Sequence, residues 1–111
     1  MIHVDFEFRL SRQAHGHETS VRIWTDENHD GEMERSEQVG PLRRDGLVWR
    51  GRRAIDAPSI DGMAFLVKFR AADGATWRLR VWTDHPERKL IYEETDVVRD
   101  GGGRVLGWCR S

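Results

Sequence analysis

Oxygen-bearing side chains are concentrated in the twelve residues from Asp26 to Glu37. Carboxylates or an amide stand at the first, third and fifth positions, a glycine at the sixth and a glutamate at the twelfth. Calcium takes about six to eight oxygen ligands on a tightly turned loop, and this spacing supplies them. The predicted ligands are the side chains of Asp26, Asn28 and Asp30, the backbone carbonyl of Glu32 and a bidentate carboxylate from Glu37.

These twelve residues resemble the calcium-binding loop of the EF-hand family. The resemblance implies that Gly31 permits the sharp turn and that Met33 is the apolar anchor of the loop. The flanks differ from the family, because Ser20–Thr25 alternates as a strand and Gly40-Pro41 leaves room for only a short helix afterwards. Six of the twelve residues are acidic, so the alternative interpretation is a solvated acidic loop without a metal.

Two other segments share one order of residue types, aliphatic-Arg-aliphatic-Trp-Thr-Asp. Alternate side chains of an extended chain lie on the same face, so each tryptophan is expected beside the arginine two positions earlier, opposite the aliphatic residues. Exposed arginine and tryptophan side chains are common in binding surfaces. The predicted ligand-binding residues of these segments are Arg22, Trp24, Arg80 and Trp82.

A second resemblance covers about residues 4–82 and is to starch-binding domains and related α-glucan-binding sandwiches. It depends on a Val-Arg-Ile-Trp strand, a polar loop, a middle strand with Trp49, and the segment Phe65–Phe69, which leads through a turn to Trp77. The resemblance implies that Trp77 is the sugar-binding platform, since a flat indole packs against the C–H face of a pyranose. Strand alternation alone places Trp77 inward, so both positions stay open at this point.

Alternating apolar and polar residues predict strands along most of the chain. The predicted strands are 2–10, 20–25, 47–55, 63–70, 76–83 and 104–109, with short candidates at 90–92 and 97–98. One helical turn fits in the polar stretch 26–45, and Asp73-Gly74 between two alternating segments predicts a β-hairpin. We expect an all-β fold, an antiparallel immunoglobulin-like β-sandwich of about seven strands in a single domain over residues 1–111, with a small barrel as the alternative.

The inward residues of these strands form the predicted core. They are Val4, Phe6, Phe8, Val21, Ile23, Phe65, Val67, Phe69, Leu79 and Val81. Trp49 and Trp108 are also expected in the core, which is the usual place for a tryptophan in a small β-domain. Cys109 has no neighbouring His or Cys partner and is expected to be a packed thiol.

Charge and composition narrow the functional classes. The chain has 18 basic and 19 acidic residues, and this balance makes nucleic acid an unfavoured partner. Its longest apolar segment is far shorter than the roughly 20 residues of a transmembrane helix, so no membrane partner is expected. The single cysteine is typical of a reducing compartment, which favours a cytoplasmic location. His15 and His17 have a spacing that can bind a transition metal, but no third ligand accompanies them, so a solvated turn is the favoured interpretation.

No nucleophile, base and orienting group stand at a recognisable spacing, so the sequence does not predict an enzyme. The favoured function is a non-catalytic binding module for an α-glucan-like carbohydrate, with calcium bound to the acidic loop. The alternative is a protein-interaction or accessory domain that binds a partner protein through an exposed Arg/Trp sheet face.

Overall fold

The computed structural model describes residues 1–12 and 19–110 and contains nine β-strands in that part of the chain. The strands are β1 (Ile2–Leu10), β2 (Ser20–Thr25), β3 (Gln38–Val39), β4 (Arg43–Asp45), β5 (Val48–Ile55), β6 (Ala64–Arg70), β7 (Thr76–Thr83), β8 (Lys89–Val97) and β9 (Gly102–Trp108). A single 3-10 turn at Arg35–Glu37 is the only helical element among the described residues. It is also too short to cross a membrane, and no other described segment forms a helix that could.

The strands form two antiparallel sheets. The five-stranded sheet has the order β4-β5-β1-β7-β8, and the four-stranded sheet has the order β3-β2-β6-β9. The predicted all-β sandwich is therefore confirmed, and the two separate sheets replace the barrel alternative. The strand count is higher than predicted because β3 and β4 form within the polar stretch 26–45, where no alternation of apolar residues indicates a strand.

The core lies between the two sheets and contains all ten residues that the alternation predicted. Phe6 from the five-stranded sheet meets Phe65 from the four-stranded sheet edge-on, with ring centroids 5.8 Å apart. Phe8 approaches Phe69 across the same space at 4.8 Å. Large aromatic side chains on both inner faces thus pack against each other in the core, where the burial of apolar surface stabilises the fold.

The predicted hairpin at Asp73-Gly74 is wrong. The turn exists, but it joins β6 of the four-stranded sheet to β7 of the five-stranded sheet, so the two strands do not pair. Instead, β6 lies between β2 and β9, and β7 lies between β1 and β8. A turn signal predicts where the chain reverses, whereas the pairing partner is decided by which side chains fill the core.

The region 89–97 is also simpler than its sequence indicated. It forms one edge strand, β8, in place of two short candidates. Most of its residues are exposed, which removes the apolar alternation that normally reveals a strand. His15 and His17, for which the sequence favours a solvated turn over a metal site, lie outside the described residues.

Candidate metal centre

The acidic loop, defined as Asp26–Glu37, begins where β2 ends. The backbone N–H of Asp26 donates to the carbonyl of Ala64 at 2.9 Å, which fixes the start of the loop to the neighbouring strand β6. The chain then turns sharply through His29 and Gly31, which have φ angles of 54° and 79°. Such angles are readily adopted by glycine, so Gly31 permits the turn that the spacing predicted.

Three carboxylates of the acidic loop meet at one point. Oxygen atoms of Asp26, Asp30 and Glu37 all lie within 4.8 Å of one another. Asp26 is 4% exposed and Glu37 is 5% exposed, whereas Asp30 faces solvent. This arrangement could hold a metal ion, because a divalent cation is bound by several oxygens that approach it from different sides.

Backbone N–H groups hold the two buried carboxylates in position. Asp26 accepts from the N–H groups of Asp30 at 3.3 Å and Gly31 at 3.0 Å. Glu37 accepts from the N–H groups of Glu27 at 2.6 Å and Glu34 at 3.3 Å. A carboxylate has about four lone-pair sites, so these hydrogen bonds leave room on each group for a cation.

Negative charge is concentrated on the solvent side of the acidic loop. The amide of Asn28 donates to Asp30 at 3.1 Å and to Glu34 at 3.2 Å, which brings these two carboxylates together. The hydrogen bond between Glu34 and Asp30, together with the negative charge of Asp30, raises the pKa of Glu34 above its usual range. The backbone N–H of Glu32 and the contact with Glu34 lower the pKa of Asp30. A bound cation would relieve this repulsion.

The structure brings together most of the predicted ligands. Asp26, Asp30 and Glu37 contribute carboxylates, while Asn28 presents its amide nitrogen to the cluster and would have to turn its carbonyl oxygen toward an ion. Glu32 takes part through its backbone N–H, which donates to Asp30 at 2.9 Å. Glu34 was not predicted, although it stands at the ninth position of the loop, where EF-hands often reach the ion through water.

The flanks of the acidic loop differ from an EF-hand, as the sequence indicated. A strand enters the loop and only the 3-10 turn Arg35–Glu37 leaves it. Arg53 from the five-stranded sheet reaches across the sandwich to Glu27, and its Nη2 also donates to the carbonyl of Ser36 at 2.9 Å. The loop is therefore tied to both sheets, which favours a fixed site over the helix opening of a calcium sensor.

The two Arg/Trp segments lie on different surfaces of the protein. Arg22 and Trp24 lie on the outer face of the four-stranded sheet, whereas Arg80 and Trp82 lie on the outer face of the five-stranded sheet. Both tryptophans are half-buried. Their aliphatic neighbours point inward from opposite sheets, so the two similar segments face opposite sides of the sandwich.

Cations cover both of these indoles. The guanidinium of Arg22 and the ammonium of Lys68 lie 5.5 and 5.6 Å from the ring centroid of Trp24. Arg88 lies 5.2 Å from the ring centroid of Trp82. These cation–π contacts occupy the surface that a stacked sugar would need.

The sequence left Trp77 open between the core and a sugar-binding position, and it placed Trp108 in the core. Trp77 is 6% exposed and stacks on Phe8 with centroids 6.1 Å apart, so it takes the inward position that strand alternation indicated and offers a sugar little ring surface. Trp108, predicted in the core, is 53% exposed. The inward positions of β9 are Val105 and Gly107, and alternation leaves the intervening and following positions outside. Trp49 is buried as predicted.

Comparison of the chain with protein-family models, with curated proteins and with solved structures found no significant match. The resemblance to starch-binding domains therefore stays a prediction.

Proposed function

We propose that this protein is a non-catalytic binding module whose acidic loop binds calcium. The observation that carries the proposal is the convergence of Asp26, Asp30 and Glu37 within 4.8 Å, two of them buried. Buried carboxylates are costly unless hydrogen bonds or a cation compensate their charge. The loop spacing and the positive φ at Gly31 support calcium in particular, because calcium accepts many oxygens in irregular geometry.

The proposed role of calcium is structural. The acidic loop connects β2 with β3 and contacts the five-stranded sheet through Arg53 and Glu27. An ion that binds only the folded loop stabilises the folded state, by about 2.7 kcal/mol at a free concentration one hundred times the Kd. Calcium would thus hold the polar loop, whose own apolar side chains are few, against the end of the sandwich.

A calcium titration of chelator-stripped protein tests the proposal directly. We expect backbone amide shifts confined to Asp26–Glu37 and a higher midpoint of thermal unfolding. Asp30→Asn should weaken calcium binding by at least about tenfold, since it removes a charged ligand. Glu32→Gln is the matched control, because it removes one charge from the same loop but leaves the triad intact, and it should bind nearly as well as the wild type.

Two outcomes would overturn calcium binding at this site. One is a wild-type protein whose amide shifts and unfolding midpoint do not respond to millimolar calcium. The other is an equal loss of affinity in Asp30→Asn and Glu32→Gln, which would indicate diffuse attraction to an acidic loop. A response to another divalent cation with none to calcium would keep the metal site and reject its assigned ion.

Carbohydrate as the ligand of this module has less support than calcium. Trp77 is buried, and cations cover Trp24 and Trp82, so none of the three predicted sugar-binding indoles presents a free face. Trp108 is exposed and carries no cation over its ring among the described residues. A maltooligosaccharide titration with calcium present should shift Trp108 if the module binds α-glucan. Unchanged tryptophan fluorescence and amide shifts at millimolar sugar would reject that ligand.

A further inference from the structure

The outer face of the four-stranded sheet carries a row of positive charge. Arg22 of β2 lies opposite Lys68 of β6, and Lys68 lies opposite Arg104 of β9. Arg70, one position further along the outer face of β6, extends the row. All four side chains are exposed. We call these four residues the basic row.

No carboxylate among the described residues lies within ion-pair distance of the basic row. The other sheet is different, because Arg50, Arg52 and Arg88 each pair with Glu7 or Asp5 on its outer face. The outward positions of β2, β6 and β9 contain no acidic residue at all. The outer face of the four-stranded sheet thus differs from that of the five-stranded sheet, because its cations have no carboxylate beside them among the described residues.

Cations placed directly opposite one another on neighbouring strands repel and destabilise a sheet. The basic row also lines one cleft of about 370 Å³, together with Ser20, Phe69 and Gly103. Trp24 holds two of the cations in place, since Arg22 and Lys68 both contact its ring. A cleft that gathers unpaired, positioned cations has the chemistry of an anion-binding site.

We propose that the basic row binds a compact, multiply charged oxyanion, a phosphate or sulfate ester. Neighbouring strands are about 4.8 Å apart, so successive cations match oxyanion groups with a similar spacing. Arginine offers paired N–H donors that fit two oxygens of one phosphate or sulfate group. No residue of the basic row belongs to the acidic loop, so this proposal does not require that the acidic loop binds calcium.

The acidic loop limits the length of the ligand. Along the four-stranded sheet, the basic row is followed by Leu66 and Leu106 and then by Ala64, whose carbonyl binds the first residue of the acidic loop. A long polyanion that followed the strands would run from the cations into the carboxylates. A compact ligand avoids this repulsion, which is why we favour it over single-stranded nucleic acid.

Calorimetric titration with inositol hexakisphosphate and with sucrose octasulfate tests the proposal at low and high salt. We expect binding that weakens with salt and weakens at least about tenfold in Lys68→Glu and in Arg104→Glu. Arg43→Glu makes the same charge change at an exposed arginine of the other sheet that forms no ion pair with a described residue, and it should alter the affinity less than about twofold. The relative affinities of the two probes distinguish phosphate from sulfate esters.

Three results would overturn the proposal. The first is no binding of either probe at millimolar concentration, and the second is an equal effect of Arg43→Glu and Arg104→Glu. The third is tighter binding of a thymidine oligonucleotide than of both compact probes, which would identify an extended polyanion as the ligand. Thermal midpoints of the variants confirm that each is folded, and amide shifts locate the bound probe on β2, β6 and β9.

Discussion

The carboxylate of Glu37 accepts the backbone N–H of Glu27 at 2.6 Å and so closes the acidic loop from its last residue to its second. The same carboxylate accepts the N–H of Glu34 at 3.3 Å. Glu37 is therefore part of the folded structure even before a cation binds. A single buried side chain links the turn geometry of the loop to its capacity to hold an ion.

Replacing Glu37 by alanine should destabilise the metal-free protein. Two backbone N–H groups near the buried end of the loop would lose their acceptor, which costs about 1–3 kcal/mol for each group that stays unsatisfied. Urea unfolding in the presence of a chelator measures the loss. Glu32→Ala, at an exposed position of the same loop, should change the free energy of unfolding by less than about 0.5 kcal/mol. Equal stability of Glu37→Ala and the wild type would contradict this account.

Trp77 and Trp108 should respond very differently to truncation. Trp77 packs against Phe8 and Phe69 in the core, so Trp77→Ala should lower the free energy of unfolding by about 3–5 kcal/mol. Trp108 is 53% exposed, and Trp108→Ala should cost less than about 1 kcal/mol. Chemical denaturation of the two variants provides the comparison. Similar losses in both would place Trp108 in the core, as its sequence position first suggested.

Local sequence patterns predicted most of the strands, but they did not predict which strands pair with each other. The strict alternation of Ile2–Leu10 identifies β1 and its inward face because the period of two is a property of the segment itself. Nothing in that segment indicates that β1 lies between β5 and β7. Sheet order depends on how all inner faces fit together, which explains why the Asp73-Gly74 turn was interpreted as a hairpin.

The two candidate sites show the same difference between local sequence information and long-range structure. Asp26, Asp30 and Glu37 lie within twelve residues, so their spacing alone predicted that they meet. Arg22 and Arg104 stand far apart in the sequence and share a cleft only because β6 lies between their strands. A site assembled from three strands has no local spacing to recognise.

Protonation of Asp84 in acid should remove a stabilising contribution to the folded protein. The backbone N–H of His3 donates to its carboxylate at 2.8 Å, and the His3 ring lies 2.9 Å away, so the pKa of Asp84 is lowered. A lowered pKa in the folded state contributes stability above the ordinary aspartate pKa of about 3.9, and this contribution is lost as the pH falls through the folded value. The free energy of unfolding should therefore fall more steeply below about pH 4 in the wild type than in Asp84→Asn.

Thermal unfolding at several pH values between neutrality and strong acid compares these slopes. Asp45→Asn is the control, because Asp45 is exposed on β4 and forms no ion pair with a described residue. Its acid profile should match that of the wild type. Parallel profiles for Asp84→Asn and the wild type would show that the contact with His3 does not favour the charged carboxylate.

Cys109 should be unreactive while the protein is folded. Its side chain is fully buried, and burial, followed by the charge of Asp61, raises the pKa of the thiol to about 12. The thiolate is the reactive form, so an aromatic disulfide reagent at pH 8 should modify the folded protein more than about a hundredfold more slowly than the urea-unfolded protein. A Cys109→Ala variant that also carries Thr95→Cys, on the exposed strand β8, provides a single accessible thiol for comparison. Equal rates for Cys109 and the accessible thiol would show that the end of β9 opens readily and that the core is not closed at this edge.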